Sequence, residues 1–334
     1  MPRRSRIDAF GALHHIIVRG IARKRIFFDD KDRERFLERL GSILKESDTA
    51  CLAWALIPNH FHLLLKTGHI PISTTMRRLL TGYAVGFNKR HRRWGHLFQN
   101  RYKSILCQED AYLLELTRYI HLNPLRADLV KSMQELERFP YCGHGVILDN
   151  AKKDWQDIDS VLCLFGKRRP AARSRYRQYV KKGVELGKRP ELTGGGLVRS
   201  AGGWAALKTL RKAKIYVKGD ERILGDSDFV LETLKQSEER LERKYRIRSQ
   251  GYDFDKIRDR VAAVFGIEGE QVFSSGKNRL TVRARSLFCY WAVRECGMTM
   301  ASLARRLGLS ITAVSQSVAR GEGIAKENGF ELFH

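Results

Sequence analysis

Two histidines one residue apart, His60 and His62, stand in "IPNHFHLLL" (57–65), and "LTRYIHLNP" (116–124) carries Tyr119 and Asn123 four residues apart. In an extended strand side chains alternate between faces, so His60 and His62 share one with Leu64, while Phe61, Leu63 and Leu65 point the other way into a core. Two imidazoles on one face can chelate a metal ion or share a substrate phosphate. The competing reading makes one a hydrogen-bonded core histidine and the other a surface residue, and an H-x-H pair alone does not separate the two. On a helix Tyr119 and Asn123 share a face, and His121 lies round toward the opposite side. If that face packs over the strand of His60 and His62, two imidazole nitrogens, one amide oxygen and a phenol come together.

Such a group suits attack on a phosphodiester. A divalent ion held by two imidazoles and one oxygen keeps open positions for phosphate oxygens and acts there as a Lewis acid. Mixed nitrogen and oxygen ligation fits Mg²⁺ or Mn²⁺, with Zn²⁺ as the alternative. A phenol is a weak nucleophile until a metal, a cation or a base assists it. Once it has attacked, the phosphotyrosine ester conserves the bond energy, so a second hydroxyl can reverse the step: strand transfer without ATP.

The elements that would position these residues alternate. "LHHIIVRG" (13–20) is strand-like and "DDKDRERFLERLGSILKE" (29–46) is helical, with Asp29 or Asp30 as N-cap. "ACLAWALI" (50–57) and "HFHLLLKT" (60–67) are strands joined at Pro58-Asn59; a basic helix over 73–93, a strand near 102–108 and a helix over 110–122 stopped by Asn123-Pro124 follow. The order β-α-β-β-α-β-α predicts an α+β fold: a ferredoxin-like, split βαβ antiparallel sheet with one additional helix. Composition changes after about residue 141, and "TGGGLVRSAGG" (193–203) is a Gly-rich break. The expected division is therefore 1–148 as the catalytic domain, 149–250 as a helical and Gly-rich connecting region, and 251–334 as an all-α domain. In that last part "MTMASLARRLGLSITAVSQSVARG" (298–321) reads as helix, Gly308-Leu309-Ser310 turn, helix: a helix-turn-helix pattern.

Lys and Arg outnumber Asp and Glu by 62 to 37, a formal charge of +25, which favours a polyanionic partner, nucleic acid first. Between Ser274 and Gly321 the basic residues are 277, 279, 283, 285, 294, 305, 306 and 320, against the single acid Glu295. The six cysteines never form a C-x-x-C pair, so neither a disulfide framework nor a zinc ribbon is indicated. No run reaches the ~18 apolar residues of a membrane span, and the first residues lack a secretory signal. The expected location is cytoplasmic, at the nucleoid, with no membrane partner.

"GALHHIIVRG", "IFFDDKDRERFL", "PNHFHLLL" and "GHLFQNRYKSILCQEDAYLLELTRYIHLNPLRADLV" together, in that order over about residues 8 to 148, resemble the REP-associated branch of the single-strand tyrosine transposases, within the HUH endonuclease superfamily. The resemblance implies that His60 and His62 bind the metal, that Tyr119 forms a 5′-phosphotyrosine, and that Asn123, one turn later, is the third ligand. Relatives often carry Tyr-His where this chain has His14-His15, so the resemblance gives those two no firm role.

The C-terminal stretch "NRLTVRARSLFCYWAVRECGMTMASLARRLGLSITAVSQSV" (278–318) is similar to the duplex-binding helical domain of bacterial replication initiators, except that "SITAVSQSV" replaces their base-reading signature. A docked second helix would turn Ser310, Thr312, Ser315 and Gln316 to base edges, with Arg283, Arg285, Arg305, Arg306 and Arg320 as further DNA-binding residues. In the first domain Arg77, Arg78, Lys89, Arg90, Arg92 and Arg93 are expected to line the DNA path. The expected activity is metal-dependent nicking and strand transfer on single-stranded or hairpin DNA, with duplex bound by the C-terminal domain and a homodimer implied by the resemblance. A catalytically inactive DNA-binding regulator and a rolling-circle replication initiator are the alternatives. No G-x-x-x-x-G-K-[ST] motif supports the second.

Overall fold

A computed structural model of the chain describes residue 7 and residues 11–68, 70–187, 189, 192, 220–226, 228–237, 251–274 and 278–332. The Gly-rich stretch 193–203, Lys277 and residues 238–250 at the end of the expected connecting region lie outside the described residues. The chain forms two compact units, Met1–Thr233 and Leu234–His334. The first unit thus runs well past residue 148 and takes in much of what sequence reading assigns to a connecting region.

In the first unit β1 (Leu13–Arg19), α1 (Asp30–Ser47), β2 (Ala50–Ile57), β3 (His60–Lys66), α2 (Ile72–Arg90), β4 (Lys103–Cys107) and α3 (Glu109–His121) follow one another as the hydrophobic pattern predicts. Asp29 caps α1 by accepting from the Asp32 amide at 3.0 Å. The sheet order is β2-β3-β1-β4-β5, with the first four strands antiparallel. Those four strands and the crossovers α1 and α2 make the expected split βαβ arrangement. Beyond it, β5 (Ile223–Leu224) pairs in parallel with Leu106 and Cys107 of β4, which extends the sheet by an edge strand that sequence reading does not anticipate.

One sheet face, with Ile16, Val18, Phe61, Leu63 and Leu65, packs against α1 and α2 through Phe36, Leu40, Met76 and Leu79. The other carries Leu13, Leu64 and Ile105 and is covered by Leu113, Leu116 and Ile120 of α3. Ala53 and Ala55 lie in register with Leu64 and His62 on that second face. Their small side chains let the helix approach closely. Lys66 Nζ to Glu109 Oε1, at 2.8 Å, ties the end of β3 to the start of α3.

Helix α3 ends at His121, just ahead of Asn123-Pro124, as the sequence suggests. After a break at Leu122 a further helical turn, Asn123–Arg126, carries Pro124 in its first turn, where a proline needs no amide donor. Helix α4 (Arg169–Lys182) then buries Ala172, Tyr176 and Val180 in the same apolar cluster as α3.

The second unit is helical: α5 (Phe254–Phe265), α6 (Arg279–Tyr290), α7 (Met300–Leu307) and α8 (Ile311–Asn328) enclose Leu287, Phe288, Trp291, Leu303, Val314 and Val318. Gly308 ends α7 at φ +64, a left-handed position that glycine adopts without strain, and Ser310 caps α8. The helix α8, at 18 residues, runs on past Gly321, where the helix-turn-helix pattern read from the sequence ends.

Candidate active site

His60 and His62 do share a face of β3, but that face is not open. His62 is 2% exposed under α3, whereas His60, at the turn end of the strand, is half-buried. The two imidazole centroids are 5.2 Å apart. Tyr119 descends from α3 onto His62, with the two ring centroids 5.8 Å apart. The packing that joins the two motifs of the sequence is therefore present.

A third imidazole completes the cluster. On β1, His15 lies opposite Leu64, with Ile17 opposite His62 and Arg19 opposite His60, so antiparallel register brings His15 to the same face. His15 Nε2 is 2.9 Å from His62 Nδ1, and its ring is 6.0 Å from Tyr119. The part His15 plays is not legible in the sequence, because the register of β1 on β3 is a long-range fact. Its neighbour His14 projects to the other side, with Nδ1 3.1 Å from Ser104 Oγ.

The hydrogen bonds assign the tautomer of His60. Asn59 Nδ2 donates to the Arg23 carbonyl at 3.3 Å, which leaves Asn59 Oδ1 as the atom 2.7 Å from His60 Nδ1. His60 Nδ1 therefore carries the proton and donates, and its Nε2 keeps a lone pair. Burial, and then the Arg19 charge, pushes the His60 pKa down to about 4. Burial does the same more strongly to His62, with His15, His60 and Arg19 adding to it. Both rings are neutral near pH 7, the state in which imidazole binds metal. An outer partner on the second ring nitrogen is likewise what a metal-binding histidine needs.

Asn123 is buried, and its Nδ2 donates to the carbonyls of Tyr119 at 2.9 Å and Ile120 at 3.3 Å. Its Oδ1 is thus the free acceptor end, yet Asn123 makes no hydrogen bond to His60 or His62. No group of three His, Cys, Asp or Glu side chains is arranged for a metal among the described residues. The pair His60 and His62 fits a divalent ion by donor type, protonation and outer partners; Asn123 is one turn from Tyr119 and fits by donor type alone. Arg126, which sequence reading missed, places its guanidinium carbon 5.2 Å from the Tyr119 ring centroid.

The basic residues expected along α2 differ in their surroundings. Arg77, Lys89 and Arg92 are exposed, and Arg93 lies 5.6 Å above the Phe87 ring. Arg78 pairs with Glu46. Arg90 is engaged by Asp29 at 2.6 Å and by the buried Asp32, so its charge is neutralised within the fold.

In the second unit Arg305, Arg306, Thr312, Gln316 and Arg320 are exposed, while Arg283, Arg285 and Ser315 are half-buried. Ser310 Oγ accepts from the Ala313 amide at 3.1 Å as the α8 N-cap, which leaves its O–H as a donor. Arg285 donates to the Ser274 carbonyl and Arg320 to Ser317 Oγ.

None of the curated proteins matches the chain. A solved structure described as the "REP associates tyrosine transposase bound to a REP hairpin" is similar at 16% identity and a TM-score of 0.37, covering 50% of this chain and 98% of that one. The segment that runs from β1 through α3, residues 9–123, and so holds His15, His60, His62, Tyr119 and Asn123, matches the model of the family described as transposase IS200 like.

Proposed function

We propose that the first unit is a single-strand DNA transferase of the transposase kind, with Tyr119 as the nucleophile and His60 and His62 as metal ligands. The observation that carries this is the Tyr119 ring packed 5.8 Å from His62 and 6.0 Å from His15. Binding to DNA alone needs no phenol on a pair of neutral, oriented imidazoles. The match of residues 9–123 to IS200-like transposases supports the same chemistry.

In this reading Tyr119 Oη attacks the scissile phosphorus. The P–O3′ bond breaks, the phenol loses its proton, and the released 3′ oxygen gains one, which leaves a 5′-phosphotyrosine. Attack by another 3′-hydroxyl reverses the step on a new strand. A divalent ion, Mg²⁺ or Mn²⁺, held by His60 and His62 with Asn123 as third donor would supply Lewis-acid stabilisation of charge on the phosphate. Arg126, beside the phenol, offsets negative charge that develops on its oxygen. Asn59 and His15 hold the two imidazoles in one tautomer and orientation.

The substrate proposed is single-stranded or hairpin DNA, with duplex bound through the exposed Arg305, Arg306, Thr312 and Gln316 of the second unit and a homodimer as the working assembly. No described helix is long and apolar enough to cross a membrane.

The test uses the full chain with hairpin-bearing single-stranded DNA, labelled on either side of candidate cleavage sites, in Mg²⁺ or Mn²⁺. A covalent adduct on a denaturing gel, lost with EDTA and with Tyr119→Phe while hairpin binding persists, is the expected result. An adduct that survives Tyr119→Phe moves the nucleophile elsewhere. No adduct with any palindromic substrate favours a regulator that binds without cutting.

A further inference from the structure

The sequence from Thr49 to Gln108 contains no Asp or Glu, and neither does Gly11 to Phe28. Both acid-free stretches meet at the turn end of β3, where His60 stands. The loop after β1, residues 21–25, is exposed at every position and presents Arg23, Lys24 and Arg25 in succession. None of these three side chains is in an ion pair with a described residue. The loop is nevertheless anchored on the Pro58-Asn59 turn: Gly20 N donates to the Asn59 carbonyl at 2.9 Å and Ile26 N to the Pro58 carbonyl at 2.8 Å. Asn59, which orients His60, also holds the Arg23 carbonyl. Ala22 and Arg23 sit at φ 50 and φ 58, left-handed positions that non-glycine residues occupy only where the surroundings enforce them. A backbone held in this way presents cations at a fixed place instead of letting them sweep through solvent.

Alongside runs the loop after α2. Ile21 N donates to the Leu97 carbonyl at 3.0 Å, Gln99 N donates to the Arg19 carbonyl at 2.9 Å, and Gly20 bridges Phe98. At the head of this second loop Trp94 is 89% exposed, between Arg92 and Arg93 on one side and Arg101 on the other. An indole so fully in water is a costly way to fill a surface position, and among the described residues no ring or cation packs on it.

We infer that Trp94 and the Arg23-Lys24-Arg25 loop form the seat of the unpaired DNA strand that leads to His60, with the indole stacked on a base and the three cations on successive phosphates. This deepens the transferase reading and rests on it for the identity of the site. The cations alone would take a duplex as readily as a single strand. A stacking indole requires a base whose face is open, which only an unpaired strand offers. Basic loops with a tryptophan also suit an anionic bilayer surface, so vesicles belong in the test.

Binding is measured by anisotropy on the full chain with a labelled hairpin bearing single-stranded flanks and with the same hairpin made blunt. Trp94→Ala is expected to weaken the flanked hairpin about tenfold and leave the blunt one unchanged, and Trp94→Phe to retain most of the affinity. Replacing Arg23, Lys24 and Arg25 together by alanine is expected to lower the slope of log affinity against log salt by about 2 on the flanked hairpin. Equal affinity of Trp94→Ala and the unaltered chain for the flanked hairpin overturns the inference. So does Trp94-dependent binding to phosphatidylserine vesicles without a Trp94 effect on DNA. The covalent adduct separates the two readings: an adduct formed at full level with no Trp94 effect on binding sinks only this inference. Trp94-dependent preference for the flanked hairpin without any adduct sinks only the transferase reading.

Discussion

His15 Nε2 lies 2.9 Å from His62 Nδ1 across the β1–β3 pair. If His62 binds metal through Nε2, its Nδ1 must carry the proton and donate to His15, which fixes both the tautomer and the plane of the ring. Loss of such an outer partner costs ~10- to 100-fold in metal affinity. His15→Leu fills the space without an acceptor and is expected to weaken Mn²⁺ binding by that factor in calorimetry. His15→Gln supplies an acceptor oxygen and should recover most of it. Equal Mn²⁺ affinity in His15→Leu and the unaltered chain reduces His15 to packing.

The sequence held the two halves of this site but not their closure. Alternation along β3 put His60 and His62 on one face, and helical spacing put Tyr119 and Asn123 on another, because both are local periodicities. His15 escaped because its role depends on which residue of β1 pairs with Leu64, and no short stretch encodes that. The covering of that face stays conditional in the sequence for a related reason. Whether a strand face is open depends on a helix fifty residues away, and Ala53 and Ala55, which allow its approach, look unremarkable in "ACLAWALI". The edge strand β5 and helix α4 belong to a region of mixed basic and Gly-rich composition, where pattern gives little sign of packing against a sheet already formed.

Arg90 and Lys89 are neighbours on α2 with opposite surroundings. Lys89 is exposed, whereas Arg90 bridges Asp29 and the buried Asp32, which also contacts His91 at 2.9 Å. The hydrogen bond from Arg90 holds the Asp29 carboxyl far below its ordinary range. Asp29 also caps α1, so the cluster joins the two helices on that face of the sheet. Arg90→Ala is expected to lower the urea midpoint and leave the salt dependence of DNA affinity unchanged. Lys89→Ala should do the reverse, lowering the salt slope by about 1 if it meets a phosphate.

Tyr176 on α4 meets His121 Nδ1 at 2.6 Å and His144 Nδ1 at 2.8 Å, all three buried. One hydroxyl donates to only one nitrogen, so it accepts from the other, and the two imidazoles are held in opposite tautomers. His121 ends the helix that carries Tyr119 two residues earlier. Tyr176→Phe strands both nitrogens without opening a cavity, at an expected cost of about 2 kcal/mol in urea denaturation. A change below about 0.5 kcal/mol would mean that the histidines find other partners.

Burial lowers the His14 pKa to about 4, and burial followed by the Arg177 charge lowers that of His144 to about 3. Both start near 6.5 in the unfolded chain. Above that pH neither state binds the extra protons and the folded state keeps its full stability. As pH falls from 6.5 toward the folded values, the unfolded chain takes up protons that the folded one refuses, so stability drops through that window. Urea midpoints should be level between pH 7 and 8 and fall steadily from pH 6.5 to 4.5. In His144→Gln that fall should be shallower. A midpoint independent of pH across the window would mean that these rings are protonated inside the fold.

Gly321 on α8 faces the Ser286 carbonyl of α6, and a Cβ at that position would stand 2.0 Å from the oxygen and 2.7 Å from Tyr290 Cβ. The oxygen is backbone, so the two helices must move apart to admit a methyl group. Overpacking of this kind costs about 1 to 3 kcal/mol, and separation of α6 from α8 also loosens Val314 and Val318 beneath them. Gly321→Ala should therefore destabilise the second unit. Hydrogen exchange read separately over the two units is the measurement: faster exchange in 279–290 and 311–328 with unchanged protection in β1 and β3 is expected. If protection in α6 and α8 survives the substitution, the close approach of these helices is not required for the unit to fold.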